Sequence, residues 1–523
     1  MMLGAIGAGV LSACVGDDPG ATLSPDNTDG SPSVDGSTLP DGGPNEGPGD
    51  GGDGGDEPTP DGGVLSVQHF AVDPSFPGGI AKVAFAQDGS LFVGFTFQGS
   101  TTVLGTQLVG NGSSDDIGVA KIGPDGNPAW VKSFGGSGGD ELYGLAVDGA
   151  GDVYIAGSFA STSVTFEVAR TLGTASAAPF VAKLAGATGA AIKSVTFHKA
   201  SEGGTCTSIA ARAGVVAVGC TMAGTAQVTM STGGTTDVDP PGPGAGILLA
   251  ELDPTSLGAL WTNGLGSAAG DHLAGVDVTP SGDLVFAALS GNTVDVPLTD
   301  TKGSVNVTIR RSPTTLVGRL AKSSGLASWV KVFGTNEQGR GIAPNGIAAD
   351  ADANIVFCGD LKGTVDVGGT SISQIVPDSE LASMAVVKLG ANGTTVAARA
   401  FGGTSDEYVR AVATDRWNNV LLTGRYTSSD FSIDGHVMPA PAGPGNQVLF
   451  AIKMSPSLVT HWGFGATTGG GSLIQGQGIA AAPSGKVAYV GMFGGTADFG
   501  DGEPRQSGTN GADVNAAVVT RLP

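Results

Sequence analysis

Residues 134–157 read FGGSGGDELYGLAVDGAGDVYIAG, and the unit they begin recurs through the rest of the chain. Phe134-Gly135-Gly136 leads into an acidic Gly-rich loop through Asp140 and Glu141. Two short apolar runs follow, Gly144-Leu145-Ala146-Val147-Asp148 and Val153-Tyr154-Ile155-Ala156-Gly157, with a turn between them. Their length and the Gly/Asp cluster that separates them are those of a strand, a tight turn and a second strand. A third run, Phe180-Val181-Ala182-Lys183-Leu184, comes after a variable stretch, and a Gly turn then leads into a fourth strand and the next copy.

The apolar anchor Leu145 has counterparts at Val83, Ile209, Val276, Ile347, Val412 and Ile479, giving seven copies spaced by 62 to 71 residues. The glycine closing the second run recurs at Gly94, Gly157, Gly219, Gly359, Gly424 and Gly491, with Ala288 in its place once. A cation occupies one position of the third run in six of the seven copies, as Lys121, Lys183, Arg319, Lys388, Lys453 and Arg521, and Glu251 is the exception. The fourth run opens on Trp130, Trp261 or Trp329 in three copies. A four-stranded unit of this size cannot bury both faces of its own sheet, so each copy must pack against its neighbours. Radial repetition of such sheets also protects strand edges. The expected fold is therefore all-β, a seven-bladed β-propeller with four-stranded blades over residues 64–523. A linear β-solenoid is the alternative, but its repeats are shorter and its ends need caps.

The chain ends support closure into a ring. The last copy stops in its third strand, Val518-Val519-Thr520-Arg521, while an unmatched strand-like segment, Val64 to Phe70, precedes the first anchor. That segment is expected to supply the outermost strand of the last blade. The units resemble the Gly-rich bacterial β-propeller repeat of the SBBP type, with Phe-Gly-Gly, an acidic loop, Gly-Ile-Ala-Val-Asp and Val-Tyr-Val-Xaa-Gly. The match is closest at Phe134 to Gly157 and Phe401 to Gly424. The resemblance implies a recognition or scaffold domain on an exported protein and no defined activity.

Residues 1–14 form a short apolar leader of small residues ending in Leu11-Ser12-Ala13-Cys14. It is too short for a membrane helix and has the form of a signal-peptide core. Its end resembles the bacterial lipobox, which implies that Cys14 is lipidated. The leader departs from the export pattern in lacking Lys or Arg at its start. Residues 15–63 carry twelve Asp and Glu and not one Lys or Arg, in a background of Gly, Pro, Ser and Thr. Such a segment cannot bury enough apolar surface to order itself and is expected to be a disordered, extended spacer. The expected localisation is export, with a lipid anchor in the outer membrane and the propeller at the cell surface. Membrane contact is expected through the lipid only. The net charge of -23 argues against nucleic-acid partners, because phosphate binding is driven by Lys and Arg.

Cys206 and Cys220 flank the first hairpin of the third copy. Pairing about a turn centred on Ala213 sets them opposite one another, as a cross-strand disulfide or as two thiols. Cys358, inside Ile355-Val356-Phe357-Cys358, reads as a buried apolar filler. Gly135-Gly136-Ser137-Gly138-Gly139 matches Gly-x-Ser-x-Gly but lacks the strand-to-helix setting of a nucleophile elbow. Asp350-Ala351-Asp352-Ala353-Asn354 lacks the Gly and bidentate Glu of a calcium loop. His69, His198, His272, His436 and His461 fall in different copies without metal-ligand spacing, so no metal and no cofactor are expected.

One feature stands above this background. The loop before the first strand carries acids in five of the seven copies, at Asp140, Glu141, Glu202, Asp271, Glu337, Asp406 and Glu407. In a propeller these loops emerge around one mouth of the central channel. The acids either form a rim that binds a cationic or polar partner or a divalent cation, or they cap Gly-rich turns. The third-strand cations are candidates to pair with strand-end acids such as Asp148, Asp350 and Asp415. Two function classes follow. The first is a monomeric, non-enzymatic binding or scaffold propeller with a protein or glycan ligand. The second is an extracellular hydrolase or lyase acting on polysaccharide or peptide, with acids of the channel mouth as its catalytic pair; a general acid/base glycosidase needs two carboxylates some 5–10 Å apart there.

Overall fold

A computed structural model describes residues 63–72, 82–111, 114–172, 176–199, 202–240, 245–266, 271–290, 294–297, 304–307, 314–335, 337, 339–443, 445–468, 474–507 and 514–521. The leader, Cys14 and the spacer up to residue 62 lie outside them. Among the described residues there is no helix, and seven antiparallel sheets form seven four-stranded blades, the sheet that starts at Glu407 being extended at its outer edge by two short strands, Thr496–Asp498 and Arg505–Gln506. Blades 1 to 6 span 82–134, 140–196, 204–265, 271–333, 341–401 and 407–468. Blade 7 takes its inner strands from 474–521 and its outermost strand, Val64–Val72, from the start of the described chain. That strand runs antiparallel to Val514–Arg521, with Val67 opposite Val519. Each first strand lies beside the first strands of both neighbouring blades, and that of blade 7 lies beside that of blade 1, so the ring is closed.

The packing explains the apolar runs. Second and third strands such as Val153–Phe159 and Val448–Met454 are buried at every position, because a neighbouring blade covers each sheet face. The core is divided accordingly into seven clusters, each between two adjacent blades. One joins Val93 and Phe95 of blade 1 to Val490 and Met492 of blade 7, so the closing interface is packed like the others. Fourth strands, at the rim of the ring, are largely part-exposed.

Local chemistry accounts for the recurring residues. In blades 2 to 7 the first strand carries a bulge, seen as a register shift at Leu142/Gly144, Cys206/Ser208, Leu273/Gly275, Pro344/Gly346, Val409/Ala411 and Gly476/Gly478. The bulge presses a carbonyl onto the second strand. A Cβ on Gly157 would lie 1.9 Å from the Glu141 carbonyl oxygen, and one on Gly424 2.0 Å from that of Tyr408. The Phe-Gly-Gly turn has a similar origin, since a Cβ on Gly136 or Gly403 would lie 2.7 or 2.5 Å from the Cβ of Ser161 or Ser428.

The third-strand cations close the opposite face. Lys183 pairs with Asp152 (3.0 Å) and Asp148 (3.6 Å), Lys388 with Asp350 (3.0 Å), Lys453 with Asp415 (3.2 Å), and Arg319 with Asp283 (2.7 Å). The cations also reach the next blade together with the fourth-strand tryptophans. Lys121 and Trp130 both donate to the Gly186 carbonyl at 3.1 Å, and Arg319 and Trp329 both donate to that of Ala391 at 3.0 Å. In blade 3, where Glu251 replaces the cation, Trp261 donates to Glu251 (2.8 Å) and to the Lys322 carbonyl of blade 4 (2.9 Å).

Cys206 and Cys220 are joined by a disulfide. The hairpin turns at Ala213-Gly214, both at positive φ, with Arg212 opposite Val215. The bulge at Cys206/Ser208 takes up the one-residue offset from a turn centred on Ala213 and sets the two cysteines face to face. Cys358 is buried with a free thiol, which burial pushes well above the ordinary range.

Candidate functional site

The first strands line a central channel, and the anchor residues sit at its waist. Val83, Leu145, Ile209, Val276, Ile347, Val412 and Ile479 form an aliphatic ring that faces a cavity on one side, and all but Val83 also face a cavity on the other. The larger cavity, of about 690 Å³, opens on the side of the turns between first and second strands. Two of its charged groups, Asp277 and Arg212, are tied to backbone. Asp277 accepts the Ala349 and Val278 amides at 2.7 and 2.8 Å, and Arg212 donates to the Ala349 carbonyl at 3.1 Å. Burial holds the Asp277 carboxyl above its ordinary range.

The smaller cavity, of about 160 Å³, lies at the level of the bulges on the side where the blade-to-blade loops emerge. Its polar lining is Lys82, Tyr143, Thr207, Ser208, Asn345, Arg410 and Gln477, with no carboxylate among the lining residues. Arg410 pairs with Asp360 at 3.3 Å, and Asn345 donates to the Val409 carbonyl at 2.8 Å. The Arg410 and Arg425 guanidiniums each lie 4.9 Å from the centre of the Tyr408 ring. Burial pushes the Asp360 carboxyl up to about 6 despite these two cations.

The seven loop acids do not converge. Asp140, Asp271 and Glu407 are the first residues of their inner strands and are 0%, 2% and 0% exposed, which removes them from any solvent-facing rim. Asp140 accepts the Gly136 amide (2.7 Å), the Ser161 amide (3.2 Å) and the Ser161 hydroxyl (2.7 Å), tying the Phe-Gly-Gly turn to the end of the second strand. Glu407 accepts the Ser428 hydroxyl and Asp271 that of Ser290 in the same manner. Burial raises the carboxyls of Asp140 and Glu407, the latter to about 7. Asp406 accepts the Ala382 amide of blade 5 at 2.9 Å. Glu141 accepts the Tyr143 hydroxyl, and Glu202 is half-buried beside Gly224. Glu337 alone is well exposed, 3.6 Å from Arg340. Among the described residues, no three of His, Cys, Asp and Glu are grouped to hold a metal ion.

Lys82, Thr207, Arg410 and Gln477 escape a reading that seeks repeated acids. They occupy the one or two positions before the anchor, where the copies differ, as Tyr143, Thr207, Ala274, Asn345, Arg410 and Gln477. Variation at one position of an otherwise constant frame was the available signal.

No protein-family model matches the chain, and no curated protein matches it. Solved structures are similar only in fold. U3-55K is 10% identical, with 88% of this chain and 100% of that chain covered and a TM-score of 0.43. Quinohemoprotein alcohol dehydrogenase ADHIIG from Pseudomonas putida HK5 is 9% identical, with 87% and 76% covered and a TM-score of 0.38. A point mutant of NanB sialidase from Streptococcus pneumoniae is 7% identical, with 88% and 93% covered and a TM-score of 0.38.

Proposed function

We propose that the protein is an exported lipoprotein of the bacterial cell surface whose propeller is a non-enzymatic binding or scaffold module. Its ligand is a protein or a glycan, it acts as a monomer, and it meets the membrane only through lipid on Cys14. The acidic spacer of residues 15–63 holds the domain away from the bilayer, because its like charges repel and its prolines stiffen it. The observation that carries the binding reading is the fate of the loop acids. A general acid/base glycosidase at the channel mouth requires two accessible carboxylates across a cleft. Asp140, Asp271 and Glu407 are instead buried beneath Ser161, Ser290 and Ser428 and hold the loops in shape. The acids left at the surface belong to different loops. The blade-to-blade loops and second-to-third-strand hairpins of a rigid ring then offer the recognition surface.

Metabolic labelling with an alkyne-bearing palmitate tests the anchoring. The wild-type chain incorporates label and is degraded by protease added to intact cells, whereas Cys14→Ser loses both the label and the membrane fraction. Equal labelling of wild type and Cys14→Ser overturns the lipid anchor.

A further inference from the structure

The cavity on the loop side of the aliphatic ring combines three features. Its lining holds two cations and several neutral donors but no carboxylate. The Lys82 ammonium has one hydrogen bond, a long one of 3.5 Å to the Gln477 carbonyl, and among the described residues no acid pairs with it. Thr207 contributes a buried hydroxyl oxygen with no hydrogen-bond partner. Buried polar groups are normally satisfied, and an exception inside a lined cavity marks a place where something else supplies the partner. Arg410 shares its charge with Asp360 at 3.3 Å, so Lys82 is the lining cation without a counterion among the described residues. Burial accordingly holds its pKa below the ordinary value.

We propose that this cavity binds one small oxyanion, held by the Lys82 ammonium and the Thr207 hydroxyl, with Gln477 and Arg410 beside it. Its volume of about 160 Å³ equals that of about five waters at roughly 30 Å³ each, which suits a sulfate or phosphate or the carboxylate of a two- or three-carbon acid. The aliphatic ring of Val83, Ile209, Val276 and their counterparts forms the floor. An apolar methyl can rest on that floor while the oxygens face the donors, so a short carboxylic acid is favoured over an inorganic anion. This goes beyond the binding-module reading and is independent of it, since the loop surface can hold a partner whether or not the channel is occupied.

The test is calorimetric titration of the full chain with sodium acetate and, separately, sodium sulfate, at constant ionic strength in chloride. Saturable binding is expected, with acetate at least as tight as sulfate. Lys82→Met weakens it about tenfold or more, the scale of a lost hydrogen bond to a charged group. Lys82→Arg keeps most of it, and Thr207→Val, which preserves shape, weakens it several-fold. Circular dichroism and thermal melts establish that each variant is folded, and Thr207→Val stands alone should Lys82→Met not fold. The proposal is overturned if neither anion binds saturably, or if Thr207→Val and folded Lys82→Met bind as wild type does.

Discussion

Replacing Lys453 by Met tests whether the recurring third-strand cation is architecture. Lys453 and Asp415 have side chains 0% exposed and lie 3.2 Å apart. Asp415 also accepts the Trp417 amide (3.0 Å), the Asn419 amide (2.9 Å) and the Asn419 side-chain amide (2.9 Å), which fixes the turn between the first two strands of blade 6. Met fills most of the space of the lysine stem but leaves the Asp415 charge buried without its counterion. Stranding one member of a buried pair costs about 3–5 kcal/mol. Asp415→Asn, which keeps the oxygen that accepts the two backbone amides, strands Lys453 at a similar cost. The double variant Lys453→Met/Asp415→Asn buries no net charge and is expected to lose less than either single one, with a coupling of at least about 1 kcal/mol. Urea unfolding of the full chain, followed by tryptophan fluorescence and circular dichroism together, reads these differences. Lys199→Met breaks an exposed pair with Asp237, each side chain nearly half accessible, and is expected to leave the midpoint unchanged. A Lys453→Met variant within about 1 kcal/mol of wild type, the worth of a surface pair, would refute the reasoning.

Three further outcomes follow from the same geometry. Gly157→Ala drives a Cβ to 1.9 Å from the Glu141 carbonyl oxygen and should destabilise by about 1–3 kcal/mol or more, whereas Gly149→Ala meets nothing within 4 Å and should be neutral; equal midpoints for the two would discredit the bulge argument. Glu407, raised by burial from 4.5 to about 7, favours its protonated form in the folded state. The stability it lends is therefore complete below about pH 4.5 and lost as pH rises through 7, a swing of about 3 kcal/mol. Glu407→Gln should remove this slope and be the more stable protein at pH 8, and parallel pH profiles would count against it. Across the seam of the ring, the Ser66 and Thr520 hydroxyls are 2.7 Å apart on paired strands. Ser66→Cys/Thr520→Cys should form a disulfide that shifts mobility on a non-reducing gel, and two free thiols would contradict the closure.

Much of the fold was legible because the period of the anchor residues is a property of the chain itself. Seven anchors at near-regular spacing require seven units. The surplus strand at Val64 had its only vacancy beside Val514–Arg521. The pairing of Lys183, Lys388 and Lys453 with Asp148, Asp350 and Asp415 was legible for the same reason, since both partners recur in step. The disulfide was legible although the bulge was not, because a bulge and a two-residue turn together give the register that a turn on Ala213 gives alone. The site was less legible. Whether Asp140 or Glu407 faces water depends on where Ser161 and Ser428 sit, some twenty residues on, just past the end of the next strand. The cavity that joins Lys82, Thr207, Arg410 and Gln477 draws on all seven blades and belongs to no single copy of the repeat.

The claim that the propeller binds rather than transforms its ligand is tested most directly on one array. The full chain is applied to immobilised bacterial and host glycans and envelope proteins, with calcium and with chelator, and each captured ligand is then analysed by mass spectrometry for cleavage. Saturable capture of an intact ligand, retained after prolonged incubation, is the predicted result. Release of shortened glycan or peptide products in proportion to protein and time would contradict the account.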